Sequence, residues 1–508
     1  MSWLTNPGWR GQLIAILAGA LTPLALAPTN YWPLLMLGIG LFYLGLSRIN
    51  PRQALLRGWC YGFATFLTGT GWVYVSIHDY GNAPPPLAAL LTVGLAAGLG
   101  LLFALLAWLW CRWLRRDRAP VANALAFAAL WVAMEGFRSW FLTGFPWLHA
   151  GYSQVEGPLS GLMPIGGVWL ASFALVLSTT LLAQVPSWLA KSDQAVVSLI
   201  LLLAPWLSGY LLAGHPWTHA AGPAIQVSAV QGNVPLMMKW DPKKVDHQLD
   251  LYLTLTEQDT AGSGLVVWPE TAIPLPHSAA LGYLDQLQRL GKRRHLALIT
   301  GLVDDRPDPQ GRALYYNGLI ALGEGQGNYL KQKLVPFGEY VPLENLLSGL
   351  LRLFDLPMSE LHAGPPNQPP LTALGYQVAP LICYEVVYPE FAAAQAARSQ
   401  LLLTVSNDTW FGHSIGPLQH LQMAQARALE SGRWMIRATN NGVTALIDPM
   451  GHISKRVPQF ETAVLRGSVL PMTGLTPYLR WRLWPVALVC VLALGWAFWR
   501  RGKEACKT

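Results

Sequence analysis

About seven apolar stretches of bilayer-spanning length fill the first 214 residues, and one more closes the chain. They lie at 11–29, 31–47, 55–77, 86–113, 119–140, 163–186, 194–214 and 482–499. A hydrocarbon core about 30 Å thick takes about 20 residues of helix. Inside lipid each backbone N–H and C=O must find its partner within the protein, which restricts such segments to helices or closed barrels. The expectation is therefore a polytopic α-helical membrane domain over 1–215, with a last span and tail over 480–508. The composition agrees: charged residues are 12% of the chain, about half the ~25% of ordinary globular proteins.

The net charge of +8 is distributed by position rather than gathered into a binding face. Arg10, the trio Arg48, Arg52 and Arg57, the group Arg112, Arg115, Arg116 and Arg118, Lys191, and Arg500, Arg501, Lys503 and Lys507 all fall on one side of the span count. Loops on the other side, such as 78–86, are almost free of positive charge. That asymmetry predicts cytoplasmic termini and argues against nucleic acid as a partner. An odd number of spans before residue 215 then places residues 220–475 outside the cytoplasmic membrane. The first apolar run is expected to be retained, since Pro28 directly follows the small-residue sequence Ala25-Leu26-Ala27.

Residues 222–472 have a different grain. Apolar runs at Ile225–Gln231, Leu265–Trp268, Leu296–Gly301, Leu381–Cys383, Leu401–Ser406 and Val443–Asp448 read as strands. Stretches 243–259, 279–293 and 418–431 carry apolar residues at helical spacing. Alternation of this kind predicts an α/β domain with helix-covered sheets.

Of five cysteines, Cys60, Cys111 and Cys490 lie in or beside apolar spans and Cys506 in the tail, which leaves Cys383 alone in the α/β segment. A lone thiol is either buried and inert or kept for its reactivity. Its surroundings favour reactivity, because the apolar strand Ala379-Pro380-Leu381-Ile382 stops abruptly at Cys383-Tyr384-Glu385. Two other segments have the same layout. Leu265-Val266-Val267-Trp268-Pro269 ends on Glu270, and Lys331 and Lys333 precede the turn Pro336-Phe337-Gly338-Glu339. Strand periodicity alone does not separate Lys331 from Lys333, since residues two apart share a face.

In that order, Trp-Pro-Glu, a lysine before Leu-Val-Pro-Phe-Gly-Glu, and Cys-Tyr-Glu resemble the motifs of the nitrilase (carbon–nitrogen hydrolase) superfamily. The spans bring the likeness closer to its membrane-bound branch, the bacterial apolipoprotein N-acyltransferases. Gln231-Gly232-Asn233 ahead of Trp240, Ser406 to Gly412, and Arg437 to Gly442 belong to the same resemblance. It implies an α-β-β-α sandwich with Cys383 as nucleophile, Glu270 as general base and Lys331, rather than Lys333, as oxyanion stabiliser. Trp240, Glu339, Tyr384, Glu385 and Trp410 match positions that the family uses to orient these groups and shape the pocket.

The implied reaction has two halves. Cys383 takes an acyl chain from a membrane phospholipid, phosphatidylethanolamine by expectation, as a thioester. The α-amino group of an N-terminal diacylglyceryl-cysteine on an apolipoprotein then receives it. The resemblance places the enzyme in the bacterial inner membrane with its catalytic domain periplasmic. No metal or organic cofactor is expected, as neither a Gly-rich phosphate loop nor a Cys/His cluster is present. The same residues would also serve a tethered amidase with water as acceptor, although eight spans have no purpose for a soluble substrate. Three further features invite a role. Glu135 and Arg138 sit one helical turn apart near a span end. Trp140, Phe141, Phe145 and Trp147 follow as an interfacial belt or a lipid path. The apolar stretch Leu346–Met358 is expected to gate the site from the membrane.

Overall fold

A helix occupies each of the apolar stretches in the computed structural model, which describes residues 6–117, 119–190, 192–239, 241–336, 338–340 and 361–505. The helices are Trp9–Leu21, Trp32–Gly45, Pro51–Gly69, Pro85–Leu109, Pro120–Arg138, Met163–Ala183, Ser192–Leu212 and Trp484–Ala505. Proline stands in the first turn of several of them, where its missing N–H costs nothing. Asn50 and Gln53 cap Pro51–Gly69 reciprocally, at 2.9 and 3.2 Å. By length and composition, Pro85–Leu114, Pro120–Arg138, Ser160–Ala183 and Gln194–Leu212 suffice to cross a membrane. Trp32–Gly45 and Trp484–Trp499 are apolar but shorter.

The chain divides into two units. One comprises Met1–His215, Ser414–Gln422 and Trp481–Thr508, and the other Pro216–His413 and Met423–Arg480. In the helical unit, close packing depends on small residues, as expected where lipid offers no hydrophobic drive. A Cβ on Gly58 would lie 2.2 Å from the Phe103 carbonyl, and one on Gly62 2.7 Å from the Phe103 ring. Around that crossing Phe42 stacks on Tyr61 at 4.2 Å, and Phe103 meets Trp131 edge-on at 5.2 Å.

Basic residues of this unit clamp main-chain carbonyls contributed by other segments. Arg57 donates to the carbonyls of Gly45, at 2.6 Å, and Asn6. Arg115 reaches those of Leu46 and Ile49, at 2.6 and 3.0 Å, and Arg116 that of Ala497. A second polar cluster is sealed deeper. Glu135 accepts the Trp131 indole at 3.0 Å and the Ala150 N–H at 2.7 Å, with the His149 ring 3.7 Å from its other oxygen. Arg138 donates to the carbonyls of Phe145, at 3.1 Å, and Trp147, and contacts His149 at 3.3 Å. The aromatic group after Arg138 is therefore split. Trp140 and Phe141 are exposed, while Trp147 is buried and donates to Gln419 at 2.7 Å.

The second unit is a two-sheet sandwich. One sheet runs Ala463–Val469, Ile225–Gln231, Leu265–Val267, Ala297–Pro307, Ala313–Gly323, Asn328–Leu330, with Ile273–Pro276 paired beside Ala297–Pro307. The other runs Ile453–Arg456, Ala445–Ile447, Met435–Thr439, Leu401–Ser406, Tyr376–Ile382, Leu371–Ala373, Gly325–Gln326. The parallel core of each sheet is buried on both faces, which suits its largely apolar strands. Val227, Val267, Ile299, Val378, Leu403 and Ile436 meet in the layer between the sheets. On the outer face of the first sheet, Val245–Asp259 and His277–Arg294 cover Val266, Trp268 and Leu298.

Candidate active site

Three strands end where chemistry-bearing residues begin. Leu265–Val267 stops three residues before Glu270, Asn328–Leu330 directly before Lys331, and Tyr376–Ile382 directly before Cys383. Parallel strands point their carboxyl ends the same way, and the last residues of such strands are where an α/β sheet presents functional groups. Cys383 sits at φ +50°, in the left-handed region that a non-glycine residue adopts at a cost, so the thiol is held on a strained turn. Thr271, next to Glu270, is held similarly at φ +48°. Gly301 permits that second turn, since a Cβ there would lie 2.3 Å from the Thr271 nitrogen.

Glu270 and Lys331 form a buried pair at 3.3 Å, with 7% and 1% of each residue exposed. Glu339 takes the other side of the ammonium at 2.8 Å. Asn317 donates to both carboxylates, at 2.7 Å to Glu270 and 3.0 Å to Glu339. The second oxygen of Glu270 accepts the Asn407 N–H at 2.7 Å, and that of Glu339 accepts the Val335 N–H at 2.8 Å. Lys333 is exposed and lies 5.6 Å over the ring of Tyr388, so of the two lysines only Lys331 reaches the carboxylates.

Burial opposes charge on each group, and the neighbours decide the outcome. It would push Glu270 up, but Lys331, Lys239 and the bonds from Asn317 and Asn407 hold its carboxyl below the usual range. It would push Lys331 down, but Glu339, Glu270 and Cys383 raise the ammonium above its usual range. The Cys383 thiol is pushed up by burial and by Glu270, against the opposing pull of Lys331. At rest the site therefore holds a carboxylate, an ammonium and a protonated thiol.

Glu385 braces the strand ends that carry these groups. Fully buried, it accepts the N–H of Gln332 at 2.7 Å and of Lys333 at 3.2 Å on one oxygen, and that of Ile382 at 2.7 Å on the other. The Tyr329 hydroxyl adds a bond at 2.9 Å. Tyr384 is buried edge-on against Tyr388 at 5.3 Å, and Trp410 lies in the turn Asp408–Phe411 next to Asn407. Trp240 and the stretch Leu346–Met358 lie outside the described residues.

Sequence reasoning missed Asn317 and Lys239. Asn317 stands in the strand Ala313–Gly323, which no continuous apolar run announces. Residues of the remaining motifs bond one another beside the site. Asn440 accepts the Val234 N–H at 2.9 Å, returns a bond to the Val234 carbonyl at 2.7 Å, and donates to the Asn407 side chain at 3.1 Å. Arg437 pairs with Asp408 at 2.6 Å, both side chains fully buried, and Asp408 accepts from Ser406 at 2.5 Å.

Two family models match the chain: the apolipoprotein N-acyltransferase N-terminal domain over residues 18–181, and carbon-nitrogen hydrolase over residues 226–476. The chain is 62% identical to an apolipoprotein N-acyltransferase of Azotobacter vinelandii, across 99% of this chain and 98% of that protein. It is 60% identical to one of Pseudomonas aeruginosa, across 98% and 97%. A more distant relative of the same name, from Coxiella burnetii, is 38% identical across 95% and 99%.

Proposed function

The chain belongs to the apolipoprotein N-acyltransferase family, and we propose that its acyl transfer runs in two half-reactions on Cys383, with Glu270 as base and Lys331 as oxyanion cation. It is a membrane-bound bacterial acyltransferase of lipoprotein biosynthesis. The observation that carries the mechanistic reading is the buried Glu270–Lys331 pair beside a thiol on a strained strand end.

A thiol held protonated does not attack alone. In the first half-reaction its proton passes to Glu270 as the sulfur–carbon bond forms, and the negative charge developing on the ester's carbonyl oxygen falls beside the Lys331 ammonium. Collapse of the intermediate breaks the ester bond, and Glu270 returns the proton to the departing lysophospholipid alkoxide. In the second half, a neutral α-amine attacks the thioester, Glu270 takes the amine proton and delivers it to the leaving thiolate. Ester and amine become alcohol and amide, and the enzyme is restored. Because Glu270 is held ionised, it is available as a base before substrate arrives.

Glu339 and Glu385 act as positioning residues in this reading, the first on Lys331 and the second on the ends of two strands. Trp240, Tyr384 and Trp410 are assigned to the walls of the acyl pocket, and the stretch Leu346–Met358 to a membrane-side gate. The donor is phosphatidylethanolamine and the acceptor a diacylated apolipoprotein, each anchored by its own chains. The helical unit, 1–215 with 480–508, crosses the inner membrane about eight times with both termini cytoplasmic. The catalytic domain, 222–472, faces the periplasm. The arginine distribution supports this orientation.

The test is to incubate the purified protein with acyl-labelled phosphatidylethanolamine. Label bound to the chain, released by neutral hydroxylamine, absent in Cys383→Ala and passed to a diacylated lipopeptide, is the expected result. An adduct that forms from a small amide but never from phospholipid would instead favour a hydrolase.

A further inference from the structure

Lys239 is a second lysine sealed into the site, and the two half-reactions leave it without a task. It closes the short helix Leu236–Lys239, is 3% exposed, and donates from Nζ to the main-chain carbonyl of Glu270 at 3.0 Å. Burying an ammonium is costly unless opposite charge and hydrogen bonds repay it. Here the repayment comes from the Glu270 carboxylate, which favours the ammonium while burial pushes it down to about 8. The segment leading to Lys239 is itself fixed, since Asn440 grips Val234 from both sides and also bonds Asn407, the donor to Glu270. Lys239 thus reaches the base through its main-chain carbonyl, whereas Asn317 and Asn407 reach it through the carboxylate.

We propose that Lys239 is a positioning residue for acyl-enzyme formation, acting through Glu270: it fixes the strained turn that carries the base and places a second positive charge beside its carboxylate. This rests on Glu270 being the base. Glu270 faces Lys331 and Lys239, with Glu339 on the far side of Lys331. Cys383 faces Glu270, Lys331, Lys239 and Asp408, and Asp408 is paired to Arg437. Glu385 acts on Lys331 from the braced strand end. Removing Lys239 takes one of two cations from Glu270 and leaves the burial, so the carboxyl binds its proton more tightly. The base is then neutral up to a higher pH, and the acid limb of the rate profile moves upward.

Two variants of the full-length protein separate charge from contact. Lys239→Met removes both; Lys239→Gln removes the charge and keeps a donor for the Glu270 carbonyl. The readout is the single-turnover rate of Cys383 acylation from labelled phosphatidylethanolamine, followed across pH in detergent. The expected result is an acid limb displaced upward by about one pH unit in both variants, the low end of what an adjacent opposite charge does to a carboxyl. A limb that stays in place while only the amplitude falls overturns the proposal. So does a Gln variant that does not fold, since Lys239 would then be a structural residue. Failure of the wild-type chain to form any adduct sinks the two-step mechanism instead, and is read before either variant.

Discussion

The carboxylate of Glu385 accepts the backbone N–H of Gln332 at 2.7 Å, and by its other oxygen it holds the N–H of Ile382 at the same distance. One side chain therefore joins the residue after Lys331 to the residue before Cys383, across strands of different sheets. Every partner of that carboxylate named above is a donor, so the site calls for an acceptor at both oxygens. Burial nevertheless raises its proton affinity, from the ordinary 4.5 to about 7.

A pH dependence of stability follows. Between about 4.5 and about 7 the folded chain keeps a proton that the unfolded chain has released, so stability falls as pH rises through that window. Glu385→Gln carries no such titration. The stability of wild type relative to this variant should be greatest near pH 4.5 and decline by on the order of 3 kcal/mol by pH 7.5. Apparent melting temperatures of both proteins in one detergent across that range check it, and a constant difference would contradict the assignment.

Glu270 raises the proton affinity of Cys383 while serving as its base. Glu270→Gln should therefore do two opposite things. Acyl transfer should fall by roughly 10²- to 10⁴-fold, the usual worth of a general base. Alkylation of Cys383 by iodoacetamide at pH 8.5 should become faster than in wild type, because a negative neighbour is gone. Slower alkylation in the variant would mean that the carboxylate assists the thiolate even without substrate.

Lys331 and Lys333 are two residues apart and have different environments, one ammonium locked between carboxylates and the other exposed over Tyr388. Lys331→Ala should cost about 10²- to 10³-fold in acylation, as loss of an oxyanion donor does. Lys333→Ala should remain within about threefold of wild type, since its backbone N–H, the part that Glu385 uses, is kept. Rates of hydroxylamine-labile labelling distinguish the two.

The buried Asp408–Arg437 pair predicts a stability effect with little room for relaxation. Either Asp408→Asn or Arg437→Met strands a partner in the interior and should cost about 3–5 kcal/mol. Gly442→Ala should lie in the same direction, as its Cβ would sit 2.2 Å from the Asp408 carboxylate. Chemical denaturation in detergent, with the double variant Asp408→Asn/Arg437→Met less than additive, is the check.

Much of this arrangement is legible in the sequence because continuous apolar runs announce strands buried on both faces. Ile225–Gln231 and Leu401–Ser406 are strands over the bounds their composition suggests. Met435–Thr439 is hidden by its arginine, an unusual residue at the heart of a sheet unless a buried acid answers it, and Asp408 lies 29 residues away along the chain. Ala313–Gly323 is hidden by its tyrosines, asparagine and glycine, yet it supplies Asn317. Glu270, Cys383 and the pair Lys331 and Lys333 stand out at strand ends, and the family resemblance selects Lys331 from the pair. Lys239 and Asn317 act on Glu270 from 31 and 47 residues away, with nothing local to mark them.

The arginine clamps of the helical unit carry a consequence for how such a chain tolerates change. Arg57, Arg115 and Arg116 supply the charge that distinguishes one side of the span count, and each also spends its guanidinium on carbonyls contributed by other segments. Insertion reads only the sign of the charge, which lysine preserves. The finished bundle reads the planar fork, which lysine lacks. Arginine-to-lysine drift at these positions would leave the chain threaded in the right direction and loosen it only after assembly, so the two requirements are met by one residue but checked at different moments of the protein's life.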